Sequence, residues 1–392
     1  MKFDIIKPRL PLIILIIIII TGFILRMGLA LEIPTKKLSG DAKNYDIMTK
    51  QILEKGVYGY LSDKPNSKVT PGYPMFLALI YKIFGYTNGS PFTVIRIIQA
   101  ILGTASIFLI FLIGSYTVNR RVGILSALFY AFYPPYIQSV SFILTEVIYT
   151  FLFLLYFWIQ LKALETKNKW VSITAGAAFA LTVLTRPVIF PLIIVPFIYQ
   201  WFVTKDKKIV QSFIYTLIGM IVLMIPWWVR NILVFGKIIL LSSGSGNPMY
   251  AGVFPHMVGW TPVPEDKQFE SAVKAVINGF LTQPITYLRW FTIEKIYIMF
   301  KKPWYDHATM RTILNMHYFI AIIGSIGIPL AIVEKRIRYI SLYIVLLIGL
   351  QLMFIPEPRY IYPIMPFFMI LTAYIIDYLF IESRKKEIEK SC

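Results

Sequence analysis

Six ionisable residues stand where polar loops meet apolar runs, and their types are those that proton transfer and anion binding need. Asp41 lies in Ser39-Gly40-Asp41-Ala42-Lys43-Asn44-Tyr45-Asp46, directly after the first apolar run, and Lys68 shortly precedes Pro71-Gly72-Tyr73-Pro74. Glu146 closes Leu144-Thr145-Glu146, while Arg186, Arg230 and Arg359 sit in Thr185-Arg186-Pro187, Trp228-Val229-Arg230 and Pro358-Arg359-Tyr360. A carboxylate at a membrane boundary can take a proton from a hydroxyl, and fixed cations can stabilise a departing anion. Each residue also has a plain structural reading. Asp41 can cap a helix running to about Gly56, whose Tyr45, Met48 and Ile52 fall at helical spacing. Glu146 can complement a helix dipole, and the arginines can snorkel beside helix-ending prolines. From spacing alone the cap is the simpler reading of Asp41.

The composition sets the class in which these residues work. The 392 residues are 57% hydrophobic and 15% charged, with a mean hydropathy of +0.67, which excludes an ordinary soluble domain. The net charge of +19 has no compact basic domain to carry it. It therefore points to anionic lipid and lipid phosphate, and away from nucleic acid. The lone cysteine, Cys392, offers neither a disulfide framework nor a zinc pattern, and His256, His307 and His317 are too scattered for a metal cage. No P-loop and no G-x-S-x-G elbow is present, which argues against nucleotide-driven chemistry inside the cell.

Apolar runs long enough to cross about 30 Å of hydrocarbon recur along the chain. The expected fold is an all-α polytopic membrane protein of about ten spans. Lys2, Lys7 and Arg9 keep the N-terminus inside ahead of an uncleaved first span, Leu10 to Leu31, near whose outer end Arg26 snorkels. Tyr73–Phe84 is too short to cross and reads as a surface-lying or re-entrant helix. Gln283–Phe300 reads as an interfacial helix, and these two segments leave the span count open by two. The layout is a transmembrane module over 1–234 with its first outer loop at 32–72, an outer membrane-associated segment over 235–311, and C-terminal spans with a basic tail over 312–392. Paired tryptophans at 227–228 read as an interfacial belt. Leu241 to Pro248 form a small-residue loop, read either as a cradle for phosphate or sugar hydroxyls or as a plain turn. No internal repeat is visible, which weighs against a secondary transporter. In this topology all six ionisable residues fall on the outer side. Buried charges at membrane depth face cavities or one another, and two carboxylates among several cations suit an anionic lipid head group.

The motifs resemble those of the GT-C class of integral-membrane glycosyltransferases, in the branch of the protein O-mannosyltransferases and aminoarabinose transferases. The resemblance is carried by GDAKNYD at 40–46, PGYPMFLALIYKIFG at 71–85, LTE at 144–146 and LTRP at 184–187. It continues in PWWVRNILVFG at 226–236, in the Ser/Gly-rich SSGSGNPMYAG, and in RYIYPIMP at 359–366. It covers nearly the whole chain. One departure is that Val69 and Thr70 stand where members carry a basic residue before Pro-Gly-Tyr.

The resemblance implies a multi-pass enzyme of the plasma membrane with its active site on the extracytoplasmic side. The donor would be a sugar on a polyprenyl phosphate and the acceptor a hydroxyl of a lipid, glycan or protein. Asp41 would be the base of an inverting transfer. Lys68, Arg186, Arg230 and Arg359 would hold the donor phosphate. Glu146 would be a second acidic residue; some members use a divalent cation between acidic residues, and here Asp41 and Glu146 would hold it. Tyr45, Tyr73, Asn247 and Tyr360 would contact sugar or acceptor. A polymerase or ligase using lipid-diphosphate donors is the alternative. A lipid-linked-sugar flippase is a further one, disfavoured because the polar groups gather at one face.

Overall fold

The computed structural model describes residues 10–32, 38–244, 246–304 and 311–391, without the side chains of 246, 247 and 381–391. Every regular element among them is helical. Six helices are long and apolar enough to cross a membrane: Leu10–Glu32, Phe92–Thr117, Glu146–Thr166, Pro187–Thr204, Lys208–Phe235 and Arg311–Leu330. Lys169–Thr185 and Met365–Phe380 are apolar but shorter. The chain is a multi-pass membrane protein. The first expected span, Leu10 to Leu31, lies within Leu10–Glu32. A later apolar run is broken: Arg120–Phe132 ends at Tyr133, and Pro134–Gln138 restarts as a single turn. Proline forces that break, because residue 133 is held extended before it.

Lys169–Thr185 packs between Glu146–Thr166 and Lys208–Phe235, and Phe92–Thr117 packs against Leu10–Glu32, Arg120–Phe132 and Glu146–Thr166. The crossing of Lys169–Thr185 with Lys208–Phe235 is close because glycines face it on both sides. A Cβ on Gly176 would fall 1.9 Å from the Thr216 carbonyl oxygen, and one on Gly219 2.0 Å from that of Ile173. Small residues do this where lipid gives no hydrophobic drive between helices. Phe153, Phe157, Tyr343 and Phe367 fill the middle of the bundle with tilted and edge-on rings.

Arg26 does not snorkel. It is fully buried, and its guanidinium donates to the carbonyls of Gly22 at 3.0 Å, Ala131 at 3.1 Å and Tyr130 at 3.1 Å. The last two are C-terminal carbonyls that the break at Tyr133 leaves without helical partners, so the arginine satisfies them. The tryptophan pair likewise does more than anchor. The indoles of Trp227 and Trp228 donate to the carbonyls of Leu241, at 2.7 Å, and Leu240, at 2.9 Å.

The segment after Phe235 docks on the bundle through a small core of Met249, Tyr250, Val253 and Ala272, with Phe354 packed against it. Its long helix runs through Pro284–Arg289, a π-helical turn at Trp290–Glu294, and Lys295–Phe300. Two side chains of this helix, one indole and one amine, bind the chain elsewhere: Trp290 donates to the Gly252 carbonyl at 2.9 Å, and Lys295 to those of Leu352 and Phe354 at 2.6 and 2.9 Å. His317 is a satisfied core histidine, bonded to the Tyr133 hydroxyl at 2.6 Å and the Phe300 carbonyl at 2.9 Å. His307 lies outside the described residues.

Candidate active site

The first polar loop folds as the helix Gly40–Lys55, which stops at Gly56 in the left-handed conformation (φ 66°). Its N-cap is Ser39, whose side chain makes no capping bond. Asp41 lies in the first turn, and its carboxylate is turned to other partners. Oδ1 accepts the Tyr60 hydroxyl at 3.0 Å, and Oδ2 accepts Arg359 Nη1 at 2.9 Å. Burial, and then the Asp41 charge, push the Tyr60 hydroxyl up to about 12, so it stays a proton donor. Asp46, one turn on, is a structural pin. It accepts the Tyr81 hydroxyl at 2.6 Å, the Ser90 hydroxyl at 2.7 Å and Lys50 at 3.0 Å, fastening this helix to Gly72–Phe84.

Pro-Gly-Tyr-Pro has a steric explanation. A Cβ on Gly72 would lie 2.7 Å from the Leu184 carbonyl oxygen and 2.8 Å from Thr185 Oγ1, so only glycine lets the loop close onto the chain that presents Arg186. Arg186 Nη2 forms an ion pair with Glu146 Oε1 at 3.1 Å, and Arg359 Nε reaches the same oxygen at 3.8 Å. Four charges from a loop helix, two span ends and the turn Pro358–Tyr360 thus form one chain: Asp41, Arg359, Glu146, Arg186. Burial pulls the Arg359 guanidinium down, but Glu146 and then Asp41 more than offset this and raise it overall.

These groups line a cavity of about 670 Å³. Tyr45, Lys68 and Tyr360 share the lining, as do Ser242, Ser243 and Gly244. The Tyr360 ring centre is 5.7 Å from both the Arg186 and the Arg359 guanidinium carbons. Lys68 is paired with Glu265 at 2.7 Å, a partner that no residue near Lys68 announces, since it arrives from the segment after Phe235. The lining holds three carboxylates and three cations, and every one is in an ion pair.

Two expected site residues lie elsewhere. Arg230 does not line the cavity. It donates to the carbonyls of Asn66 at 3.0 Å and Tyr58 at 3.2 Å and to Asn231 Oδ1 at 2.9 Å. Asn66 in turn accepts the Tyr60 N–H at 3.1 Å and donates to its carbonyl at 2.9 Å, so Arg230 holds the loop that holds Tyr60. Tyr73 is fully buried behind Tyr45, with ring centres 4.9 Å apart. The Asn247 side chain is outside the described ones. The small-residue loop is partly engaged already: the Ser243 N–H donates to the Ser67 carbonyl at 2.8 Å. Tyr60 was not singled out in the sequence, where a tyrosine in a polar loop carries no signal.

The fold is that of the GT-C glycosyltransferases. The oligosaccharyltransferase of Archaeoglobus fulgidus superposes with a TM-score of 0.61 at 14% identity, over 99% of this chain and 53% of that one. ArnT from Cupriavidus metallidurans, solved bound to undecaprenyl phosphate, gives 0.55 at 11% identity, over 93% and 60%. The chain thus spans about half the length of the first and three-fifths of the second. The family model for dolichyl-phosphate-mannose-protein mannosyltransferase matches residues 63–229, from the first polar loop to the end of Lys208–Phe235. No curated protein matches in sequence.

The Archaeoglobus enzyme has also been solved with zinc and sulfate. The donor set here fits a metal poorly, because a guanidinium already lies between Asp41 and Glu146. Among the described residues no three His, Cys, Asp or Glu gather as ligands.

Proposed function

We propose that this protein is an inverting glycosyltransferase that moves a sugar from a polyprenyl-phosphate donor to a hydroxyl acceptor on the extracytoplasmic face of the membrane. One observation carries the reading: Asp41 and Glu146, far apart in sequence, are joined by Arg359 in a single cavity that also holds Arg186 and Lys68. In the transfer, the acceptor oxygen forms the bond to the anomeric carbon as its proton passes to Asp41. The bond from that carbon to the phosphate oxygen breaks, and its electron pair leaves on the phosphate. Arg359 and Lys68 stabilise that anion, with Arg186 fixing Glu146 beside it. The described part of the segment 235–311 belongs to this catalytic unit and rests on the membrane. Ile277, Leu281, Ile285, Leu288 and Ile293 are exposed along its helices, the pattern of an interfacial surface.

The test is transfer in detergent from a polyprenyl-phosphate sugar, with Asp41→Asn and Asp46→Asn assayed at matched protein levels. The reading expects Asp41→Asn to be close to inactive. Near-normal turnover by Asp41→Asn would remove Asp41 from the chemistry, and transfer only from diphosphate donors would favour a polymerase or ligase.

A further inference from the structure

We infer that the donor phosphate activates Asp41 by taking Arg359 away from it. The inference rests on the glycosyltransferase reading and concerns how its base is held before the donor arrives. The cavity has no spare positive charge, because its cations are all paired with carboxylates. A lipid phosphate that takes an arginine's charge must therefore compete with the carboxylate that the arginine already neutralises.

The geometry singles out which arginine exchanges. Glu146 is 2% exposed and keeps Arg186 at 3.1 Å, a pair too buried to part without leaving a bare charge. Arg359 is 28% exposed, and its closer partner, Asp41, is 38% exposed at 2.9 Å. Parting that pair therefore leaves neither charge fully buried. The turn that carries Arg359 is stiffened by Pro356 and Pro358, so the move is a rotation of the side chain. Asp41 stays where it is, since Tyr60 holds its other oxygen at 3.0 Å. While Arg359 is paired, neutralising Asp41 would strip the guanidinium of its nearest counter-charge. Once Arg359 faces phosphate, Oδ2 is open to the acceptor hydroxyl. The base is thus exposed only when a lipid phosphate occupies the cavity, and a water or acceptor arriving first meets a closed pair.

Asp41 and the phosphate then compete for one arginine, and binding alone reads that competition. Undecaprenyl phosphate is titrated against detergent-solubilised wild type, Asp41→Asn, Arg359→Ala and the double variant, with thermal shift reporting that each is folded. Asp41→Asn should bind the lipid phosphate about tenfold more tightly than wild type, although it is close to inactive in transfer. Arg359→Ala should bind more weakly, and adding Asp41→Asn to it should change nothing further. If Asp41→Asn binds no more tightly than wild type, the exchange is wrong while the donor assignment stands. If it tightens binding equally in the Arg359→Ala background, Asp41 merely repels the phosphate and the exchange is again wrong. If wild type does not bind undecaprenyl phosphate at all, the donor assignment itself falls, and the inference with it.

Discussion

Arg359 and Arg230 look alike in the sequence, each following a proline-marked span end and each followed by polar or aromatic residues. Their partners separate them. Arg359 holds two carboxylates at the wall of a cavity, at 2.9 and 3.8 Å. Arg230 holds two backbone carbonyls and a side-chain amide, at 2.9 to 3.2 Å, away from that cavity. A carboxylate partner can be replaced by another anion, because the arginine keeps its charge compensation in the exchange. A carbonyl partner cannot be given up without releasing the loop it belongs to. The type of acceptor, more than burial or position along the membrane, tells a cation that serves a ligand from one that serves the fold.

The strongest way to break this comparison is at the carboxylate itself. Asp41→Asn keeps the shape and the bond to Tyr60 but cannot take a proton, and turnover should fall by about 10²–10⁴-fold. Asp46→Asn, which loosens the pin to Tyr81 and Ser90 but touches no charged group of the cavity, should cost less than about tenfold. Arg359→Ala comes next. It should weaken donor binding by about 2–5 kcal/mol, the usual cost of removing one member of a hydrogen-bonded charge pair, and lysine should restore only part of it. Donor titration checks both variants. Wild-type affinity in Arg359→Ala would place Arg359 beside Arg230 as a structural clamp.

Arg230→Ala should act in the opposite order. Each lost bond from its guanidinium to a carbonyl is worth about 1.5–3 kcal/mol, so the melting temperature should drop clearly. Donor affinity should change less than in Arg359→Ala. Turnover should fall because Tyr60 loses its seat through Asn66. A donor affinity as damaged as that of Arg359→Ala, in a protein melting normally, would return Arg230 to the phosphate.

Much of this was legible before the structure. The helix from Asp41 to Gly56, the short helix after Pro-Gly-Tyr-Pro and the convergence of acids and bases on one face all follow from hydropathy, capping residues and charge placement. What was not legible is pairing across hundreds of residues. Nothing near Lys68 announces Glu265, and nothing in Asp41's own neighbourhood announces Arg359. Arg26 is instructive in a different way. Its position near a span end matched snorkelling, but the break at Tyr133 on another helix leaves carbonyls exposed inside the bundle, and those claim the arginine. Local sequence gives a side chain's reach and charge. Only the packing says which acceptor is within that reach.

Lys295 extends the comparison to a third cation and carries the smallest expected effect. Like Arg230 it is bound by carbonyls, those of Leu352 and Phe354, and it is fully buried. A neutral amine has two N–H bonds, which these two carbonyls use up. The extra proton of an ammonium would find only the faces of Phe291, 4.3 Å away, and Trp290, 5.4 Å away. Burial accordingly pulls Lys295 down from 10.5 to about 7. In the unfolded chain the same lysine keeps its proton up to its ordinary value. Between about pH 7 and pH 10.5 the unfolded state therefore binds the extra proton, and stability must rise with pH across that window. The slope is at most about 1.4 kcal/mol per pH unit, and it vanishes below pH 7, where both states are protonated. Other buried groups add their own slopes, so the measurement is a difference. Melting curves of wild type and Lys295→Met at pH 7, 8 and 9 should diverge, with wild type gaining on the variant as pH rises. Parallel curves would mean that Lys295 keeps its charge in the fold, held by the two rings as a cation, and that carbonyl partners alone do not define a structural clamp.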